Sequence, residues 1–189
     1  MTAPRLLASW ALGLAVLLPN WAAAGSPGQQ ALAAYRAAQG DPAQLRQALA
    51  LADQALQQAP GDTGLRMLRG DIHIALRQYS QALADYTQLS DTALPPERKL
   101  LQCMLRERVQ PAPLPLACYA DAGKRLAAGQ QTPERDPNYI MAQLLARAPG
   151  AARLAAGLLA ATPAGPQRDV DAMLFQDFDR NRYLHSVLP

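Results

Sequence analysis

β-Branched residues are nearly missing from this 189-residue chain, which has 4 Val, 3 Ile and 6 Thr against 39 Ala and 31 Leu. Strands draw on β-branched and aromatic side chains, whereas Ala and Leu lose little on entering a helix. An all-β or parallel α/β fold is excluded, and an all-α fold is expected. Lysine is scarce as well. The basic residues are 16 Arg and 2 Lys, they are interspersed with 15 acidic ones, and the net charge is only +3. No Arg-dense face or tail makes the electrostatic footprint that nucleic acid requires, so no nucleic-acid partner is expected.

Groups that carry chemistry are few. His73 and His185 are the only histidines, and no His, Cys or Asp pair has metal-ligand spacing on a helix. Glycine-rich phosphate loops, GxGxxG and GxSxG are all absent. Asp177, Asp179 and Asn181 imitate the start of a calcium loop, but Arg182 stands where the tight turn needs Gly and Leu188 where a bidentate Glu is needed. Glu97, Glu107 and Glu134 are the only glutamates, and Glu97 and Glu134 lie at Pro-rich helix starts, where a negative charge serves the helix dipole. No catalytic residue, cofactor or metal is expected.

A hydrophobic run of spanning length is missing too. Arg5 precedes Leu6 to Leu18, a 13-residue stretch that is apolar apart from Ser9 and Gly13, and a bilayer crossing needs roughly 20 residues. Pro19-Asn20 breaks the run, and Ala22-Ala23-Ala24 offers small residues where a signal peptidase reads. Residues 1–24 are therefore expected to be a cleaved secretory signal, with the mature chain starting at Gly25 and not stably inserted in a membrane. An uncleaved anchor and a buried first helix are the other readings. Ala- and Arg-rich, Lys-poor usage is that of a GC-rich bacterial genome, which makes the expected destination the periplasm.

What is present is a repeat. Residues 29–62 and 63–96 superpose at an offset of 34, which matches Ala48 with Ala82 and Leu49 with Leu83 and places Ala55 over Leu89. The second unit holds RGDIHIALRQYSQALADY (Arg69 to Tyr86), with Gly70, Tyr79, Ala82, Leu83 and Tyr86 in the order Gly, eight residues, Tyr, two residues, Ala-Leu, two residues, Tyr. The first unit closes in ALQQAPGD (Ala55 to Asp62), and ACYAD (Ala117 to Asp121) lies over ALADY at an offset of 35, in a degenerate third unit from about Glu97 to Ala128. In these residues the chain resembles the tetratricopeptide repeat (TPR) family. It departs from the pattern in lacking the family's Trp, in carrying Arg69 for an expected Leu, and in placing Leu94 before the closing Pro95.

The resemblance implies a right-handed α-solenoid of two to three TPR-like helix pairs over residues 25–128, best matched in 63–96, with residues 129–189 as a C-terminal helical cap. In that cap, Asp136-Pro137 reads as the start of a helix to Ala148, followed by helices over Ala151 to Ala161 and Arg168 to Tyr183. Cys103 and Cys118 would lie in the two helices of the third unit, on faces that meet in this family. In an oxidising compartment the even cysteine count then favours a disulfide, with two buried thiols as the alternative.

The inner wall of such arrays comes mostly from the first helix of each pair, which selects Met67, Asp71 and Ile74, with Leu101, Leu105 and Arg108 from the degenerate unit. His73 takes a position that is usually packed. The function implied is a periplasmic protein–protein interaction module or adaptor in an envelope assembly, with a concave groove for a protein or peptide partner. Met67, Ile74, Leu101 and Leu105 would anchor that partner and Asp71 and Arg108 orient it. A small helical enzyme acting on envelope material, with Glu107 as its acid, and a purely structural subunit are the alternatives. Burial of part of this wall under the C-terminal helices is the other reading of these six residues.

Overall fold

The computed structural model describes residues 25–189, and the expected signal segment lies outside them. Among the described residues every regular element is helical. They are α1 (Pro27–Ala38), α2 (Pro42–Gln58), α3 (Thr63–Ala75), α4 (Tyr79–Thr87), α5 (Pro96–Val109), α6 (Leu116–Ala127), α7 (Pro137–Leu145), α8 (Ala151–Ala161), α9 (Pro166–Phe175) and α10 (Arg180–Val187), with a 3₁₀ turn at Pro133–Arg135. None of these helices is long and apolar enough to cross a membrane.

Polar side chains and prolines set the helix starts. Asp41, Asp62, Asp136 and Asp179 each accept a backbone N–H in the first turn of α2, α3, α7 and α10, satisfying donors that have no partner within the helix. Ser26 and Gln29 form a reciprocal capping box ahead of α1. Proline opens α1, α2, α5, α7 and α9, where its missing N–H costs nothing.

Two expected helices end differently. The stretch Arg168 to Tyr183 is two helices, because Asp177 takes a left-handed φ of 51° and Asp179 accepts the backbone N–H of Arg182 at 2.6 Å. Short acidic side chains compete with the helix for local backbone donors and tolerate that conformation. The stretch from Pro137 stops at Leu145 instead of Ala148, with Arg147 at φ 56°, since Pro149 pushes Ala148 out of the helical region.

Each helix from α1 to α9 packs on its neighbours in the chain, and α1 also meets α3 while α5 meets α7. One apolar cluster, Ala31, Ala48, Ala52, Leu68 and Ile72, joins α1 to α3. Its alanines let the helix axes come close. The larger cluster runs from Ala82 in α4 to Leu188 beyond α10 and includes Leu105, Tyr119, Ile140 and Leu145. Gly70 lies under Tyr86, and a Cβ there would come within 2.8 Å of the ring, so close approach of α3 and α4 requires glycine. Cys103 in α5 and Cys118 in α6 stand at disulfide distance, with S–S 2.01 Å and Cα–Cα 5.7 Å. Helix α10 departs from the neighbour-to-neighbour order. It turns back so that its residues reach α5, α6 and α7, and the residues after it reach α4.

Candidate functional site

Met67, Asp71 and Ile74 follow one another at four- and three-residue steps on α3, and Leu101, Leu105 and Arg108 do the same on α5. That spacing keeps each trio on one stripe of its helix, and the two stripes are equivalent at the 34-residue offset. Leu105 is fully buried, at 0% exposure. Met67, Ile74 and Leu101 are half-buried and pack against the larger cluster.

Asp71 is engaged within the protein. Its Oδ1 accepts from the Tyr86 hydroxyl at 2.5 Å and from Arg98 Nη1 at 2.6 Å, and that same Nη1 lies 3.0 Å from the Tyr86 oxygen. The carboxylate thus joins α3, α4 and α5 before it could orient a ligand. Burial and the Asp71 charge push the Tyr86 phenol well above its usual range, while Arg98 opposes them. Tyr35 on α1 is raised by burial and, less, by Asp71. Arg98 was not among the residues selected from sequence. Its side chain stays 40% exposed, which leaves a partly open guanidinium beside Asp71, three residues before Leu101.

Arg108 is engaged as well. Its Nε donates to the Leu188 carbonyl at 3.1 Å, and its guanidinium lies 5.3 Å over the Tyr79 ring. The Tyr79 hydroxyl donates to the carbonyl of Pro189. Residues following α10 therefore cover the Arg108 end of the α5 stripe. Glu107, one position from Arg108, is 5% exposed. Arg180 of α10 grips it bidentately, Nε to Oε1 and Nη2 to Oε2 both at 2.6 Å, and the Tyr119 hydroxyl donates to Oε2 at 2.7 Å. The Arg180 guanidinium also lies 5.2 Å over the Tyr119 ring and donates to the Leu145 carbonyl at 2.6 Å. Both carboxylate oxygens of Glu107 are thereby occupied, as a structural ion pair rather than an open acid.

A second buried carboxylate explains the departure at Arg69. Asp85 is 2% exposed and receives Arg69 Nε at 2.8 Å and Nη2 at 2.5 Å, while Arg69 Nη1 reaches Asp53 on α2 at 3.0 Å. The hydrogen bonds that Arg69 donates to Asp85 are the largest influence holding the guanidinium protonated far above its ordinary range. His73 packs beside this network, with Nδ1 2.7 Å from Gln78 Oε1 and Nε2 3.9 Å from Asp85, in keeping with a packed position.

A cleft of about 490 Å³ lies away from these two stripes, between the 3₁₀ turn and α8, lined in part by Glu134, Arg135, Arg153 and Gly157. Among the described residues no three His, Cys, Asp or Glu side chains converge as metal ligands.

Tyrosine burial sets a pH expectation. Burial pushes Tyr183 up to about 12 and drives Tyr86 and Tyr119 higher still, with Asp71 and Glu107 adding to the latter two. An unfolded phenol ionises near 10, so above that pH the unfolded chain releases protons that the folded one retains. Stability is fully present below pH ~10 and is expected to fall beyond it by about 1.4 kcal/mol per pH unit for each of these tyrosines. Urea midpoints measured between pH 8 and 12 check this, and a constant midpoint would contradict it.

Comparison with known proteins found no matching family model, no matching curated protein and no matching solved structure.

Proposed function

We propose that the mature chain is a periplasmic protein-interaction module of the TPR kind. In this reading α1–α2, α3–α4 and α5–α6 are successive helix pairs of a right-handed solenoid, α7 to α10 cap it, and a protein or peptide partner in an envelope assembly lies along the wall formed by α3 and α5. The observation that carries the reading is that Met67 and Leu101, at the repeat offset of 34, are both apolar and both half-buried, at corresponding positions of α3 and α5. Neighbour-to-neighbour packing of α1 to α9 supports it, as does the cysteine pair at disulfide distance, which suits an oxidising compartment.

The geometry also refines which residues would serve. Met67, Ile74 and Leu101 keep exposed area for an apolar partner, Asp71 and Arg98 hold each other in an internal pair of which Arg98 stays partly exposed, and Leu105 supports from beneath. Interface anchors of this size cost about 1 to 2 kcal/mol each on truncation. Replacing both Met67 and Leu101 by alanine is therefore expected to reduce partner capture from periplasmic extract by at least about tenfold, with helicity by circular dichroism unchanged. Undiminished capture by that folded variant would move the site elsewhere, to the surface around Leu174 of α9 and Phe178 in the turn after it, or to the convex side.

A further inference from the structure

Helix α10 is held as peptide ligands are held. Its backbone lies alongside no other helix as closely as α1 to α9 lie along one another, and it is fastened by side-chain anchors, two of which, Leu184 and Leu188, enter the larger apolar cluster. Arg180 enters a site prepared for a guanidinium, with the Glu107 carboxylate on its edge, the Tyr119 ring under its face and the Leu145 carbonyl at its end. Leu184 and Leu188 follow at four-residue steps and are buried at 5% and 0% exposure. Arg108 and Tyr79 then take the carbonyl oxygens of Leu188 and Pro189, reading main chain rather than side chain. The fit is incomplete, since a cleft of about 140 Å³ remains between α10 and the end of α5, lined by Glu107, Arg108, Pro111, Asn181, Leu184 and His185.

We propose that this seat is the partner's, and that α10 fills it while the partner is absent. The occupant it takes is an amphipathic helix of another protein presenting Arg, Leu and Leu at positions i, i+4 and i+8. The inference rests on the interaction-module reading, because Arg108 belongs to the wall assigned there and a partner running the length of that wall meets α10. The requirement for arginine follows from Glu107. Lifting α10 opens that carboxylate to water, but it still stands beside the Tyr119 ring and the Leu145 carbonyl, a set that fits a planar guanidinium, so the displacing segment is one that brings a guanidinium of its own. A tethered α10 competes at high effective concentration, so the seat of the unaltered chain is available only in the fraction of molecules in which α10 has lifted.

The test uses the chain 25–189 and a fluorescein-labelled peptide of residues 179–189, read by anisotropy. A variant carrying Arg180→Ala, Leu184→Asp and Leu188→Asp leaves the seat intact and frees it. It is expected to bind the peptide at least about tenfold more tightly than the unaltered chain. Adding Glu107→Gln to that variant, or Arg180→Ala to the peptide, is expected to remove the gain. Equal binding by the released and unaltered chains overturns the proposal. Hydrogen exchange on the unaltered chain decides the matter if the released variant does not fold. Amides of 181–188 are expected to exchange at least about 100-fold faster than those of α5 and α6, and equal protection makes α10 a fixed part of the core and overturns the proposal. A doubled solution mass with α10 exchanged between copies also overturns it, since the occupant is then a second copy. Loss of partner capture on replacing Met67 and Leu101, alongside failure of the peptide to bind, would leave the groove standing and remove only the seat.

Discussion

Replacing Asp85 by alanine is expected to lower the unfolding free energy by about 3 kcal/mol. Removing one member of a buried ion pair costs about 3 to 5 kcal/mol, because the other charge remains without compensation. The lower end applies here. Arg69 keeps 25% of its side chain in water and retains Asp53 at 3.0 Å, so part of its charge stays solvated and partnered. The carboxylate side is less forgiving in the reverse experiment, since Asp85 has only 3% of its side chain exposed and would be left with the distant Arg66 and His73 alone. Substituting both residues, Arg69→Met with Asp85→Leu, is expected to recover most of the loss, because well-packed apolar replacements of buried pairs are often neutral. Chemical denaturation of the three variants checks both statements. A single-variant loss under about 1 kcal/mol would show that the pair is not desolvated.

Breaking the Cys103–Cys118 link is expected to cost nearly as much. The bond joins positions 15 residues apart, and closing a loop of that size restricts the unfolded chain by about 3 kcal/mol in the chain-entropy estimate. For a domain of this size 1 kcal/mol moves the melting temperature by roughly 2 to 4 °C, so reduction is expected to lower it by about 6 to 12 °C. The loss should be felt in α5 and α6, the helices that also hold Glu107 and Tyr119. Comparing melts with and without dithiothreitol, and with Cys103→Ser combined with Cys118→Ser, measures the effect. The denatured, unreduced protein should contain no free thiol. Two free thiols and a melt indifferent to reductant would contradict the link.

How far these features could be read from sequence depended on whether their causes are local. The bounds of α8, Ala151–Ala161, coincide with the expected helix because Pro149-Gly150 and Thr162-Pro163 punctuate it on both sides. Asp136 caps α7 at the expected helix start, since a cap needs only the backbone two residues ahead. The break between α9 and α10 was not legible, because Leu174 and Phe178 continue an apolar stripe straight through it and the interruption lies in the backbone of Gln176, Asp177 and Asp179. Long-range charge pairing escaped for a different reason. Arg180 and Glu107 are 73 residues apart, and no spacing rule links them.

Arg69 and Asp85 lay nearer to hand. Arg69 already stood out as a departure from the repeat, and the carboxylate that compensates it lies only 16 residues away across the α3–α4 hairpin. A pair of polar intrusions on facing helices of one unit is a signal that sequence reading can use. The candidate wall was legible as two stripes. Which of its charges were already spent was not, because Asp71 is claimed by Arg98 across 27 residues.

The return of α10 also determines the order in which the chain can organise itself. Pairs such as α1–α2 and α3–α4 form between neighbours and close short loops, which is the condition for rapid folding. The bond from Tyr79 to Pro189 instead spans 110 residues, and its entropic cost can be met only when α5, α6 and α7 have already built the surface on which Arg180 and Leu188 land. Docking of α10 is then a late event, absent from the folding transition state. Substitutions in it should speed unfolding while leaving the folding rate nearly unchanged.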